Sequence, residues 1–218
     1  MTANETIWYG MPITDPQSAQ VMVAALSFGL AAAVALLAAT VWSIAVPGRR
    51  LWPPVRSSVS HRVIVWLLTI TIFASGIVLG LLDWNGIDLP TAVRWGIGLP
   101  LILAGNAVVW YGVTQIGMRA TSGAVAELRT NGLYHYSRNP QYLADMGILA
   151  GWMVLSASFW VLPLAAAGAL VLAVAPLAEE RWLLEQYGAD YAAYRQGTPR
   201  FIGFGSSFDR ASGTAGRR

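Results

Sequence analysis

The sequence predicts an all-α, polytopic transmembrane protein with about five spanning helices, a C-terminal helical hairpin and a cytoplasmic tail helix. Three observations carry that expectation. Hydrophobic residues fill 56% of the 218 positions, charged residues only 11%, and mean hydropathy is +0.52; a soluble domain carries roughly 25% charged residues. Apolar stretches occupy residues 21–46, 62–82, 93–118, 143–162 and 163–178, against the ~20 residues that a spanning helix needs. Finally, the positive charges are unevenly placed along these stretches.

Taken in order, the first three stretches are long enough to cross a bilayer outright. The last two are shorter and meet at residues 158–163, so they read as a tight helical hairpin. All 14 positive residues are arginines. Arg49, Arg50, Arg56 and Arg62 lie between the first two stretches, and Arg119, Arg129 and Arg138 between the third and fourth. Arg181, Arg195, Arg200, Arg210, Arg217 and Arg218 follow the fifth. Only Arg94 falls on the other side, with Glu5, Asp15, Asp83 and Asp88. The positive-inside rule then puts the N-terminus outside and the C-terminus in the cytoplasm, in the inner membrane if the cell is bacterial.

Composition also narrows the partners. The sequence pI is near 9.5, but the arginines cluster beside apolar stretches, so membrane lipid headgroups are the expected counterpart and nucleic acid is not. A chain without cysteine has no disulfide, thiolate nucleophile or cysteine-ligated metal, and no metal site is expected. Residues 1–20 lack the basic start of a signal peptide, so the first stretch is expected to be retained.

Three parts follow from the distribution of polar residues: a framework of transmembrane helices at 1–90, a chemistry-bearing module at 91–204, and a disordered tail at 205–218. Gly76 and Gly80, and Gly147 and Gly151, have spacings that let helices approach closely. Residues 177–194 read as a helix leaving the last stretch, with Trp182, Leu183, Tyr187, Tyr191 and Tyr194 on an aromatic face at headgroup level and a break at Gly188.

The chemistry concentrates in the cassette NGLYHYSRNPQY at residues 131–142, the acidic pair Glu179-Glu180, and the later Pro199-Arg200-Phe201. Thr130-Asn131-Gly132 and Asn139-Pro140 are turn signals, with the proline placed to open the fourth stretch. Charged groups and irregular backbone near membrane depth are costly and commonly mark a working site. Each element also has a plain reading. Arg138 could anchor to lipid phosphate, Glu179-Glu180 could end a helix at the surface, and Arg200 could tuck the tail beneath the hairpin. His135 and His61 read as solvated or structural.

In combination these motifs resemble the integral-membrane methyltransferases that include isoprenylcysteine carboxyl methyltransferases and phospholipid methyltransferases. The matching residues are Gly132, Tyr134, Arg138, Asn139, Pro140 and Tyr142; then Glu179-Glu180; then Tyr187-Gly188, Tyr191 and Tyr194; then Pro199-Arg200-Phe201-Ile202. The resemblance implies an S-adenosyl-L-methionine (SAM)-dependent methyltransferase acting from the cytoplasmic face on a lipidic or small apolar acceptor. It implies cofactor contacts from Arg119, Leu128, Arg129, Gly132, Tyr134, Arg138, Asn139, Pro140, Gln141, Tyr142 and Glu179. Glu179 or Glu180 would take the ammonium or ribose hydroxyls, Arg138 or Arg129 the carboxylate, and Tyr134 or Tyr142 the adenine. Arg200 and Glu180 are the expected catalytic neighbours of the acceptor.

Two departures bear on substrate. Where carboxyl-methylating members carry an arginine one turn before the acidic pair, this chain has Ala175, which argues against isoprenylcysteine. Tyr142-Leu143-Ala144-Asp145 resembles the Tyr-Leu-Gly-Asp of membrane sterol reductases, which makes an NADPH-dependent reductase of an unsaturated lipid the alternative. A non-enzymatic scaffold is the third reading.

Overall fold

A computed structural model of the chain describes residues 15–54, 59–117 and 127–202. The described residues are helical, without a strand. Helix α1 spans Pro16–Ala45 and is opened by Asp15, whose carboxylate accepts from the backbone N–H groups of Gln17 and Ser18. A 3₁₀ turn at Pro47–Arg49 follows, then α2 at Val59–Leu82. Helix α3 is continuous but uneven: Thr91–Val93, a π-turn at Arg94–Gly98, and Leu99–Ile116. Another 3₁₀ turn at Gly132–His135 precedes α4 at Pro140–Ser156, and α5 runs Val161–Gly197.

Four of these helices are long and apolar enough to cross a bilayer: Pro16–Ala45, Val59–Leu82, Thr91–Gln115 and Val161–Gly197. The chain therefore fits an integral membrane protein. Helix α4, expected as a fifth span, has 17 residues. It is the shorter arm of the hairpin anticipated at residues 143–178. The part of α5 before the break at Gly188, residues 161–187, is about 40 Å long at ~1.5 Å per residue. Its apolar stretch, residues 161–178, is about 27 Å long, close to the ~30 Å of a hydrocarbon layer, and Glu179 follows that stretch.

The hairpin closes earlier than residues 158–163 because of an acid from another helix. Ala157 is left-handed (φ 46°), and the Asp83 carboxylate at the end of α2 accepts from Ser158 Oγ (2.8 Å), Phe159 N–H (2.9 Å) and Trp160 N–H (3.4 Å). Asn85 and Ile87 N–H groups bond to the Ser156 and Ala157 carbonyls. These backbone groups are thus committed before the chain enters α5. Arg94, at the start of the third apolar stretch, is buried on the π-turn. Its Nε donates to the Leu155 carbonyl at 2.9 Å, and its guanidinium carbon sits 4.5 Å from the centroid of Trp84, a favourable cation–π geometry.

The core joins α1, α2 and α5 through Met22, Ala32, Ala33, Ile72, Leu79, Val161, Leu164 and Ala165. Helices α3 and α4 pack so closely that a Cβ at Gly151 would lie 2.7 Å from the Gly98 carbonyl oxygen. One at Gly80 would meet the Trp152 ring at 2.7 Å, whereas Gly147 has nothing within 4 Å. Of the four small residues singled out from spacing, Gly80 and Gly151 are the two that contact demands.

Candidate active site

The two acids at the end of the apolar part of α5 are consecutive, so they point about 100° apart around the helix. They consequently enter two different networks. Glu180 is buried and receives both Arg138 and Arg200. Arg200 grips it with Nε–Oε1 at 2.7 Å and Nη2–Oε2 at 2.8 Å, and Arg138 Nη1 lies 2.9 Å from Oε1. Such forked pairs fix both orientation and charge.

The cassette closes over this pair. Arg138 N–H donates to the Pro199 carbonyl at 2.9 Å, and the Asn139 amide and the Ser137 hydroxyl donate to the Arg200 carbonyl at 3.0 and 3.3 Å. Pro140 occupies the first turn of α4, where its missing N–H is no loss. Gly132, at φ 61°, starts the 3₁₀ turn that carries Tyr134. The Tyr194 hydroxyl donates to the Tyr134 carbonyl at 2.5 Å.

Glu179 faces the other way. Its Oε1 accepts from Trp52 Nε1 at 2.8 Å and from the Tyr142 hydroxyl in a short contact. No described residue hydrogen-bonds to Oε2. Two donors nearby in the chain are also orphaned: Arg138 Nε and Gln141 Nε2 are buried without a hydrogen-bond partner. Gln141 lies against Gly112 of α3, where a Cβ would come within 2.8 Å of its Cγ.

Electrostatics differ between the acids. Burial pushes the Glu179 carboxyl up, the Tyr142 and Trp52 hydrogen bonds pull against that, and neighbouring Glu180 adds to the rise; the result is raised. For Glu180 burial also pushes upward, but the Arg200 hydrogen bond and the Arg138 and Arg200 charges win, and its carboxyl is held below the usual range. Burial, with Glu179 nearby, pushes the Tyr134 phenol up to about 12, so it is a neutral donor at physiological pH.

The structure therefore brings Tyr134, Arg138, Asn139, Pro140, Gln141, Tyr142, Glu179, Glu180 and Arg200 into one region. Leu128 and Arg129 lie on the extended approach to Gly132, with Arg129 exposed. Arg119 lies outside the described residues, as does the tail at 205–218. Asp145, one turn beyond Tyr142, has no hydrogen bond from a described residue. The N-terminal part, expected as framework, places Trp52 Nε1 on Glu179, and no local pattern flagged a contact 127 positions away. The aromatic residues of the tail helix do not share one exposed face. Gly188 breaks α5 (φ 53°, ψ −122°), turning Tyr191 into the interior and Tyr194 onto the cassette.

An apolar helical bundle thus carries at one end a buried polar cluster: a carboxylate gripped by two arginines and a second carboxylate held by Trp52 and Tyr142. Residues 93–190 match the family described as phospholipid methyltransferase, which lies within the class of integral-membrane methyltransferases that the motifs resemble and supports a membrane methyltransferase. The chain is also similar to steroid 5-alpha-reductase DET2 of Solanum lycopersicum, 25% identical over 111 residues, covering 50% of this chain and 43% of that protein. The chain thus spans less than half the length of that relative. No solved structure matches it.

Proposed function

We propose that the protein is a SAM-dependent methyltransferase of the isoprenylcysteine carboxyl methyltransferase-like type, with a lipidic or small apolar acceptor reaching the site from the bilayer on the cytoplasmic face. The observation that carries this reading is the buried acidic pair Glu179-Glu180 held against the cassette by Tyr142 and Arg138, with Arg138 Nε and Gln141 Nε2 buried without hydrogen-bond partners. It lies inside a segment matching a methyltransferase family. SAM presents the complementary set: an ammonium and ribose hydroxyls that donate, and a carboxylate that accepts. These residues fit it.

Bound there, SAM supplies a methyl group on a positively charged sulfur, and the acceptor displaces that sulfur in line. The chain's part is mainly positional. Glu179 holds the donor groups of the cofactor, and Arg138 and Gln141 hold its carboxylate. Tyr134 or Tyr142 lies along the adenine, and Asn139 and Pro140 fix the cassette that carries them. Arg119, Leu128, Arg129 and Gly132 complete the cofactor contacts by the same resemblance. Arg200 and Glu180 stand as a charged, pre-oriented pair at the acceptor side, and the apolar helices exclude water. Ala175 in place of a second arginine disfavours a prenylcysteine carboxylate.

The likeness to a steroid reductase, with Asp145 in its Tyr-Leu-Ala-Asp run, supports a second reading: NADPH-dependent reduction of an unsaturated lipid. Calorimetry with SAM, S-adenosylhomocysteine and NADPH on detergent-purified protein separates the two. SAM and S-adenosylhomocysteine are expected to bind at micromolar levels to the wild type and at least tenfold more weakly to Glu179→Ala. Binding of NADPH alone would replace this reading with the second.

A further inference from the structure

We infer that Trp52 is a positioning residue of the Glu179 site, holding one carboxylate oxygen so that the other is presented to the ligand. The inference rests on the functional reading above and extends that site into the connection between α1 and α2.

The indole is itself placed by a chain of contacts that begins inside α1. Ser43, buried, donates its hydroxyl to the Ala39 carbonyl at 2.6 Å and accepts from the N–H groups of Leu51 and Trp52 at 2.9 and 2.8 Å. One hydroxyl thus closes a turn of backbone eight and nine residues later. Trp42 Nε1 donates to the Arg49 carbonyl at 3.1 Å, and Arg50 Nη1 reaches Glu185 of α5 at 2.8 Å. The connection is fastened to α1 at one edge and to α5 at the other, with Pro53 fully buried after it. Trp52 Nε1 then meets Glu179 Oε1 at 2.8 Å.

Two donors on one oxygen have a directional consequence. Tyr142 and Trp52 together occupy Oε1, so the carboxylate plane is set and Oε2 faces away from both. The indole N–H is a donor that cannot titrate, whereas the other groups around Glu179 can. These are Tyr142 on α4, Asp145 beyond it, Tyr134 in the cassette turn, and Glu180 alongside, paired to Arg138 and Arg200. A fixed N–H favours the ionised carboxylate that a cationic or hydroxyl-bearing ligand requires. Losing such a donor raises the carboxyl pKa and lowers the ionised fraction on the acid side.

The test is SAM and S-adenosylhomocysteine binding to the full-length protein in detergent, from mildly acidic to mildly alkaline pH. It compares the wild type with Trp52→Phe, Ser43→Ala and Trp42→Phe. Trp52→Phe keeps the ring and removes the N–H; it is expected to bind about tenfold more weakly on the acid side, with the acid limb displaced upward, and to converge with the wild type on the alkaline side. Trp42→Phe, which loosens the connection without touching Glu179, is expected to stay within about twofold throughout. Wild-type affinity and an unmoved acid limb in Trp52→Phe would overturn the inference while leaving the methyltransferase reading in place. A uniform loss shared by all three variants, with no displacement of the limb, would also overturn it, since that is a merely structural role. Failure of the wild type to bind either ligand would bring down the functional reading and the inference with it.

Discussion

The two ends of the bundle are joined by different kinds of polar contact. At the hairpin-turn end, Asp83 accepts from one hydroxyl and two backbone N–H groups, and the neighbouring loop adds two backbone bonds to the Ser156 and Ala157 carbonyls. At the cassette end, side chains meet side chains: Glu180 with Arg138 and Arg200, and Glu179 with Trp52 and Tyr142. At the first end three donors converge on one Asp83 oxygen, Oδ2, and Arg94 Nη2 is buried without a hydrogen-bond partner. The second leaves Arg138 Nε and Gln141 Nε2 buried without hydrogen-bond partners. The contrast is one of arrangement: backbone and hydroxyl donors gathered on a single acid at the first end, and two adjacent acids held by separate side-chain networks at the second.

The contrast can be broken most directly at Asp83. Asp83→Ala strands two N–H groups and a hydroxyl and is expected to lower stability in detergent by about 3 kcal/mol with SAM affinity unchanged; a matching loss of affinity would show that the ends are coupled. Gly151→Ala drives a Cβ into the Gly98 carbonyl and is expected to cost about 2 kcal/mol by overpacking, read as a lower melting temperature with the same ligand profile.

At the cassette end the pH dependence has a definite sign. The folded Glu180 carboxyl lies below its ordinary value of 4.5, so its ion pairs contribute fully above that value and are lost only as pH falls through the depressed folded value. A spin label at Ile202→Cys, in a chain with no other cysteine, is expected to stay immobile at neutral and mildly acidic pH and to become mobile only below the ordinary carboxyl range. In a Glu180→Gln background that transition should vanish. The smallest effect is expected from Tyr194→Phe, which removes one hydrogen bond to the Tyr134 carbonyl and about 1 kcal/mol, measured by chemical denaturation.

Much of the cassette end was legible in the sequence because its signals are local. Gly132, Asn139-Pro140 and Gly188 constrain their own backbone, and the apolar runs end where Glu179-Glu180 begin. That Arg138 and Arg200 meet on Glu180 was not legible, because the resemblance implies Arg138 as a partner of the cofactor carboxylate and no local rule ties it to Glu180. The hairpin-turn end was less legible. Asp83 looks like an ordinary loop acid, and only the folded chain brings Phe159 and Trp160 to it. Trp52 was missed for the same reason, since an indole N–H carries no pattern that announces a partner 127 positions later. The burial of Arg94 was not legible either, since only the folded chain brings the Trp84 indole face and the Leu155 carbonyl to it.

The adjacency of Glu179 and Glu180 also limits how this chain can change. Each residue added to an α-helix turns everything after it by about 100°. One insertion or deletion between the hairpin turn and Glu179 would therefore carry Glu180 toward the indole or Glu179 toward the arginines. Substitutions in residues 161–178 need only remain apolar and small enough to pack. The length of that segment is fixed by the two acids beyond it, so its descendants should vary freely in composition and hardly at all in residue count.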